Sequence, residues 1–261
     1  MSKFFVNQFQ INNNRITIIG EDVNHIVNVL RLKENDKIEI CNSDTSENYN
    51  TKIISINNEN VICEIYEKIN KTSESNIYIN IFQGLPKADK MELIIHKCVE
   101  LGVKEITPVK MERCIVKLDS KSESKKIERW QKISEVASKQ SGRDFITKIN
   151  NIKNIKDICN LISKYDILLV AYECEEQNSL KQEIHKLKKL NRVDLKIGIV
   201  IGPEGGINKE EIEKMEQAGA KTITLGNRIL RTETVAFVMA SILQYELGDL
   251  GGITKEWKIM F

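Results

Sequence analysis

From residue 76 onward the sequence alternates short apolar runs with segments of helical period, and this alternation constrains the fold more than any other feature. Parallel strands need crossover connections, which helices supply, so the pattern specifies an α/β domain with a mostly parallel sheet. Strands are predicted over 77–82, 105–109, 166–172, 196–201 and 222–225, and helices over 89–101, 124–140, 155–164, 180–190, 208–218 and 235–247. In the first helix Met91, Ile94, Ile95, Cys98 and Leu101 share one face, and Gly102 is its stop. In the second, Ile127, Trp130, Ile133 and Ala137 face inward while Lys125, Lys126, Arg129, Lys132 and Lys139 face solvent. Asn208 and Glu211 have capping-box spacing. The last helix is apolar on nearly every side (Val235, Phe237, Val238, Met239, Ile242, Leu243, Leu247), which demands burial on all faces, inside a large core or against a second chain.

Before residue 76 the period changes. Short alternating runs over 15–19, 37–41, 49–56 and 61–69, bounded by Asn, Asp and Ser clusters, predict a small β-barrel or sandwich, interrupted by one helical piece over 23–32. Asn35-Asp36 is read as a turn, because Asn tolerates a left-handed backbone. Residues 71–76 read as a linker, which gives domains over 1–72 and 76–250.

At 261 residues with 41% hydrophobic content, the chain has ample core for one large or two ordinary domains. No apolar run reaches the roughly 18 residues of a membrane span, and the N-terminus has no signal-peptide pattern, so a cytoplasmic protein with no membrane role is expected. Six cysteines without C-x-x-C spacing and three scattered histidines make no metal motif, and no metal is expected. The net charge of +2 is unevenly spread: residues 1–75 hold 8 Lys/Arg against 11 Asp/Glu, whereas 110–148 hold 11 against 6. A concentrated basic stretch is the footprint of nucleic-acid binding, although a solvated lysine-rich helix face gives the same signal.

Two stretches carry candidate chemistry. The strand over 196–201 runs into Gly202-Pro203-Glu204-Gly205-Gly206, where bare backbone can approach a ligand closely. The spacing fits neither phosphate-binding fingerprint, and Glu204 would repel a phosphate, so an uncharged ring or a positively charged ligand fits better. The second stretch, Leu225-Gly-Asn-Arg-Ile-Leu-Arg-Thr-Glu-Thr234, sets Arg228, Arg231 and Glu233 at the mouth of the apolar last helix. Charges there cost desolvation unless paired or used. Either Arg231 and Glu233 pair to cap the helix, or they act on a ligand.

Together, Ile201-Gly-Pro-Glu-Gly-Gly206 and Leu225–Thr234 closely resemble the motifs of the knotted SPOUT RNA methyltransferases, in particular those that methylate N3 of a uridine in 16S ribosomal RNA. Weaker echoes are His25-Ile-Val-Asn-Val-Leu-Arg-Leu-Lys33 and Gln140-Ser-Gly-Arg143. The resemblance implies a C-terminal SPOUT domain with a trefoil knot, an N-terminal PUA-like RNA-binding domain, S-adenosylmethionine as cofactor, a homodimer, and 16S ribosomal RNA within the small subunit as partner. It places the cofactor on Ala171, Tyr172 and Glu173, on Ile201, Gly202, Pro203, Glu204, Gly205 and Gly206, and on Leu225, Gly226, Ile229 and Leu230. These are ends of predicted strands, where ligands lie in open α/β sheets. Ile201, Leu225, Ile229 and Leu230 would be its apolar walls. Arg231 would stabilise negative charge on the uracil, and Glu233 would orient Arg231 or accept the N3 proton. Lys3, Arg31, Lys87, Lys125, Lys126, Arg129, Arg143 and Arg228 are the candidate RNA contacts. A SPOUT enzyme with another RNA target and a non-catalytic RNA-binding relative remain alternatives.

Overall fold

The structure is a computed structural model and describes residues 3–70 and 72–252. Lys71, within the expected linker, lies outside the described residues. The chain divides into two compact units, one holding residues up to Glu74 together with Glu135–Ile146, the other Ser75–Ser134 and the residues from Thr147 on.

The first unit is a six-stranded sheet of β1 (Lys3–Val6), β2 (Ile11–Asn12), β3 (Arg15–Ile19), β4 (Lys37–Asn42), β5 (Asn48–Ile56) and β6 (Asn60–Ile69). Its order is β1-β4-β5-β6-β3-β2, antiparallel except for β1 against β4. Alternation sends Phe4, Ile16, Ile18, Ile38, Ile40, Ile53 and Val61 to one core, which Val23 and Ile26 complete from the short helix α1 (Glu21–Asn24) and the π-helical turn His25–Val29 that continues it. Asn35 takes φ +79°, as the turn reading requires. The edge strand β1 carries too short a signal to be read ahead of the structure.

Two sequence expectations are corrected in this unit. Lys3 is 8% exposed and Arg143 3% exposed, so neither is presented for RNA. The Lys3 ammonium pairs with Asp144, and with Glu39 at 2.8 Å. The Arg143 guanidinium makes a bidentate pair with Glu74, both legs 2.7 Å. The Asp144 carboxylate accepts the Ser73 N–H at 2.6 Å and Glu74 accepts the Asp144 N–H at 3.0 Å, while Lys139 reaches Asp22 at 2.6 Å. This network, buried at Lys3, Arg143 and Asp144, fastens 135–146 within the unit formed mostly by the first 74 residues. Buried charges persist only when paired in this way.

The second unit is a parallel sheet. Its elements are β7 (Tyr78–Gly84), α2 (Lys90–Glu100), β8 (Glu105–Lys110), α3 (Ser120–Gln140, whose last residues belong to the first unit), β9 (Lys148–Ile149), β10 (Lys153–Asn154), α4 (Ile155–Leu161), β11 (Ile167–Ala171), α5 (Leu180–Lys188), β12 (Lys196–Ile201), α6 (Lys209–Gln217), β13 (Lys221–Ile223) and α7 (Thr232–Leu247). Strand order is β10-β8-β7-β12-β11-β13, with β9 beside β8, and every recorded pair is parallel. Phe82, Val109, Leu168, Val170 and Val200 bury one sheet face against Ile158, Ile207, Ile212 and Met215. Each such residue contributes about 1.5–3 kcal/mol of transfer free energy. The capping box of α6 forms as read, between Asn208 and Glu211. Among the described residues no helix is long and apolar enough to cross a membrane, and no group of three or more His, Cys, Asp or Glu could hold a metal.

Of the two alternatives for the last helix, burial on all faces inside the core of this chain does not hold. It packs on α2, α5 and β12 through Thr232, Ala236, Met239, Ala240, Leu243 and Gln244. Val235, Val238 and Ile242 on the other side are half-buried, and Tyr245 is 66% exposed. One face, not all faces, is covered by this chain.

Candidate active site

Register decides where the motifs meet. Ala171 at the end of β11 lies opposite Ile201 at the end of β12 and opposite Ile223 at the end of β13. The segments 171–173, 201–206 and 225–230 therefore leave three adjacent strands at one edge of the sheet, as the sequence reading required. The Tyr172 N–H donates to Ile223 O at 3.1 Å, which extends the pairing just past β11.

The loop after β12 is a tight turn in which the Gly206 N–H donates to Pro203 O at 2.9 Å, with Gly206 at φ +71°. A Cβ on Gly206 would land on the Glu173 carboxylate, so only glycine closes this turn beside that group. Pro203 is buried, and the Gly84 backbone approaches its ring so closely that a Cβ there would sit 2.7 Å away. The bare Cα of Gly205 faces Arg113, whose Cβ and carbonyl oxygen would both lie 3.2 Å from an added Cβ. Crowding at Gly205 thus comes first from a neighbouring loop of the same chain. Arg113 donates from its guanidinium to Gly205 O at 3.2 Å, the Glu112 N–H donates to Glu211 at 3.0 Å, and Asn208 donates to the Glu112 carboxylate. The stretch after β8 is thereby fixed to the loop after β12.

Gly226 follows β13 with φ +104°, and a Cβ there would meet nothing within 4 Å, so its backbone borders open space. The chain then returns to β12: the Thr232 hydroxyl donates to Gly202 O at 2.7 Å and accepts from Gln83 Nε2 at 2.8 Å. That joins the start of α7 to the ends of β12 and β7. Of the expected apolar walls, Leu225 and Leu230 are half-buried. Ile201 is sunk in the core and offers only backbone, and Ile229 is 93% exposed and lines nothing in this chain.

The charged trio is not arranged as expected. Glu233 is paired with Lys90 (3.4 Å), and no ion pair joins it to Arg231. Arg231 is the N-cap residue of α7, is exposed, makes no side-chain capping bond, and has no ion pair among the described residues. The capping account of Arg231 therefore fails on geometry. Glu233 Oε2 is buried and makes no hydrogen bond, as does Gln83 Oε1. Lys90 also lies 3.0 Å from Glu204, which accepts the Lys87 N–H at 3.1 Å. Burial pushes the Glu204 carboxyl up, but the Lys90 ammonium and backbone N–H groups outweigh it and hold it below its ordinary value. The charge of Glu204 is thus met within the chain.

The candidate RNA contacts divide. Lys87, Arg228 and Lys125 are exposed in the second unit and Arg31 in the first. Arg129 is exposed but paired with Glu92 at 2.6 Å, and the Lys126 ammonium rests 5.6 Å from the Trp130 ring centre. Lys90 and Arg113 were missed by sequence reasoning. Arg113 lies in a loop without periodicity. Lys90 had one legible sign, a cation at the first position of a helix, where the macrodipole disfavours it.

Comparison with known proteins follows the same lines. A family model described as an RNA methyltransferase domain matches residues 73–244, and one described as an RNA methyltransferase PUA domain matches 18–66. Ribosomal RNA small subunit methyltransferase E of Bacillus subtilis (strain 168) is 36% identical over 239 residues, covering 90% of this chain and 92% of the relative. Its namesake from Buchnera aphidicola subsp. Acyrthosiphon pisum (strain APS) is 34% identical over 229 residues, covering 88% and 87%. The crystal structure of ribosomal RNA small subunit methyltransferase E from Neisseria gonorrhoeae bound to S-adenosyl methionine is 27% identical, with a TM-score of 0.82 over 96% of this chain and 99% of that one. With its parallel α/β unit, its β-rich N-terminal unit and these matches, the chain belongs to the ribosomal RNA small subunit methyltransferase E family of RNA methyltransferases.

Proposed function

We propose that the protein methylates N3 of a specific uridine in 16S ribosomal RNA of the small subunit, using S-adenosylmethionine, in the cytoplasm and as a homodimer. Residues 1–72 form its PUA-like RNA-binding domain and 76–250 its methyltransferase domain, with the chain knotted where 225–231 returns from β13 to β12. The observation that carries this reading is the register of β11, β12 and β13, which brings all three motif segments to one edge of the sheet.

The residues present fit the cofactor. Gly226 offers open backbone, Leu225 and Leu230 offer apolar surface, and the exposed Glu173 carboxylate beside Gly206 suits a cationic ligand. Gln83 Oε1 is a buried acceptor that makes no hydrogen bond, and buried Glu233 Oε2 has only the Lys90 ammonium at 3.4 Å. When bound, the cofactor supplies an electrophilic methyl group on a sulfonium. The protein's part is orientation and charge. Arg231, without an ion pair among the described residues, is available to the uracil carbonyl oxygens and stabilises the negative charge that develops as N3–H is lost. Glu233, held by Lys90 and not by Arg231, receives that proton at a carboxylate oxygen. Arg228, Lys87, Lys125 and Arg31 contact phosphates.

Mass mapping of 16S ribosomal RNA from a strain lacking the gene tests the reading. One uridine should lose the mass of a methylene group and regain it on complementation. An unchanged map overturns the assignment.

A further inference from the structure

Lys90 stands at the crossing of both motifs. Its ammonium lies 3.0 Å from Glu204, in the loop after β12, and 3.4 Å from Glu233, in the first turn of α7. Both carboxylates come within hydrogen-bond or ion-pair reach of one nitrogen. Without it, two like charges would face each other across the cleft, and like charges in one site resist joint ionisation. The arrangement is costly locally. Lys90 opens α2, where the positive end of the helix dipole opposes an ammonium, and two positions before it stands Ala88, a non-glycine residue at φ +51°. The same turn donates the Lys87 N–H to Glu204. The two contacts are unequal: Glu204 holds Lys90 closely, while buried Glu233 Oε2 meets it only at the longer, ion-pair distance.

We propose that Lys90 is a positioning residue of this site, a single ammonium that ties the loop after β12 to the start of α7 and holds the Glu233 carboxylate in place for the reacting base. Its catalytic consequence rests on the methyl-transfer reading above. The tether itself does not.

The test uses the full-length chain with Lys90→Met, Lys90→Arg, Glu233→Gln and the double variant Lys90→Met/Glu233→Gln. First, urea unfolding without any ligand closes a double-mutant cycle, and the effects of Lys90→Met and Glu233→Gln should be non-additive. Second, calorimetric titration with S-adenosylmethionine is set beside single-turnover methylation of small-subunit RNA particles at saturating cofactor. Displacement of a reacting group by a fraction of the cleft costs about 100-fold in rate, so Lys90→Met should lose about that in turnover and far less in cofactor affinity. Lys90→Arg, which can reach both carboxylates, should recover most of the rate. Wild-type turnover in Lys90→Met, no recovery in a folded Lys90→Arg, or additive unfolding effects would each overturn the proposal. If wild-type protein neither binds the cofactor nor methylates, the functional reading fails instead, and the unfolding cycle alone decides the tether.

Discussion

Single residues decide the chemistry here, and Arg231 is the most exposed to test. It caps α7 by position only, with no side-chain bond to the helix, so its substitution has little fold to disturb. Arg231→Lys is expected to keep the melting temperature and cofactor affinity of the wild type. Single-turnover methylation should fall at least ~100-fold, the scale of losing one oriented donor to developing charge. Near-normal turnover would remove Arg231 from the mechanism. The residue scale also holds a pH prediction. Burial pushes the Asp144 carboxyl up, but hydrogen bonds from Lys3 and the Ser73 N–H win, so it titrates below its ordinary 3.8; burial lowers Lys3, but Asp144 and Glu39 outweigh it and raise it above 10.5. A depressed carboxyl adds stability that is complete above 3.8 and lost as pH falls through the folded value; a raised ammonium adds stability complete below 10.5 and lost as pH rises through its folded value. Urea midpoints should thus show no pH dependence from this pair between those limits, where its contribution is complete, and a decline on the acid side that Asp144→Asn removes. Stripping one partner from a buried pair costs about 3–5 kcal/mol, and Glu39, still beside Lys3, sets this case at the lower end, near 3 kcal/mol. A midpoint unchanged at neutral pH in Asp144→Asn would mean the pair does not matter.

At the scale of elements, α3 joins the two units and carries the basic stretch. Only Lys125 of its three candidates is uncommitted, since Arg129 is paired with Glu92 and Lys126 rests over Trp130. Reversing all three to Glu should weaken binding of small-subunit RNA and leave cofactor affinity alone. Each neutralised phosphate contributes roughly 0.7–0.9 to the slope of log affinity against log salt, so the slope should fall by at least that of one contact. An unchanged slope would send the RNA along another face. The same helix explains what the sequence could and could not reveal. Periodicity exposes an element whenever one face is buried along its length, which is why β3, β12, α6 and the inward row of α3 were legible. It fails for β1, β9 and β10, two to four residues each, because so short a run has no period. It fails again for partners. Lys90 meets Glu204 and Glu233, more than a hundred positions away, and Lys3 and Arg143, basic and therefore read as surface, are buried by Asp144 and Glu74. The glycine motifs succeeded where these failed because they mark backbone geometry, which is local.

For the whole molecule, the open question is what covers the outer face of α7. Thr232, Ala236, Met239, Ala240 and Leu243 bury one side against the chain's own sheet and helices, and small residues there let the helix approach closely. Val235, Val238, Ile242 and Tyr245 recur at helical spacing on the other side, half-buried or exposed. An apolar row left on the outside of a finished domain marks an interaction site. A second copy suits it, since a self-complementary stripe makes the isologous contact of a twofold dimer. It would also place new protein beside Ile229 and Arg231, which this chain leaves uncovered. Light scattering at micromolar concentration should therefore give twice the 30.0 kDa of the chain. Ile242→Glu sets a charge in that stripe without touching the buried row, so it should yield a folded monomer with an unchanged far-ultraviolet spectrum. If the uncovered loop at 226–231 is completed by the partner, the same variant should lose cofactor affinity as it loses the dimer. A wild-type protein that scatters as a monomer would end the dimer proposal, and an Ile242→Glu monomer that binds cofactor normally would show that each chain completes its own site.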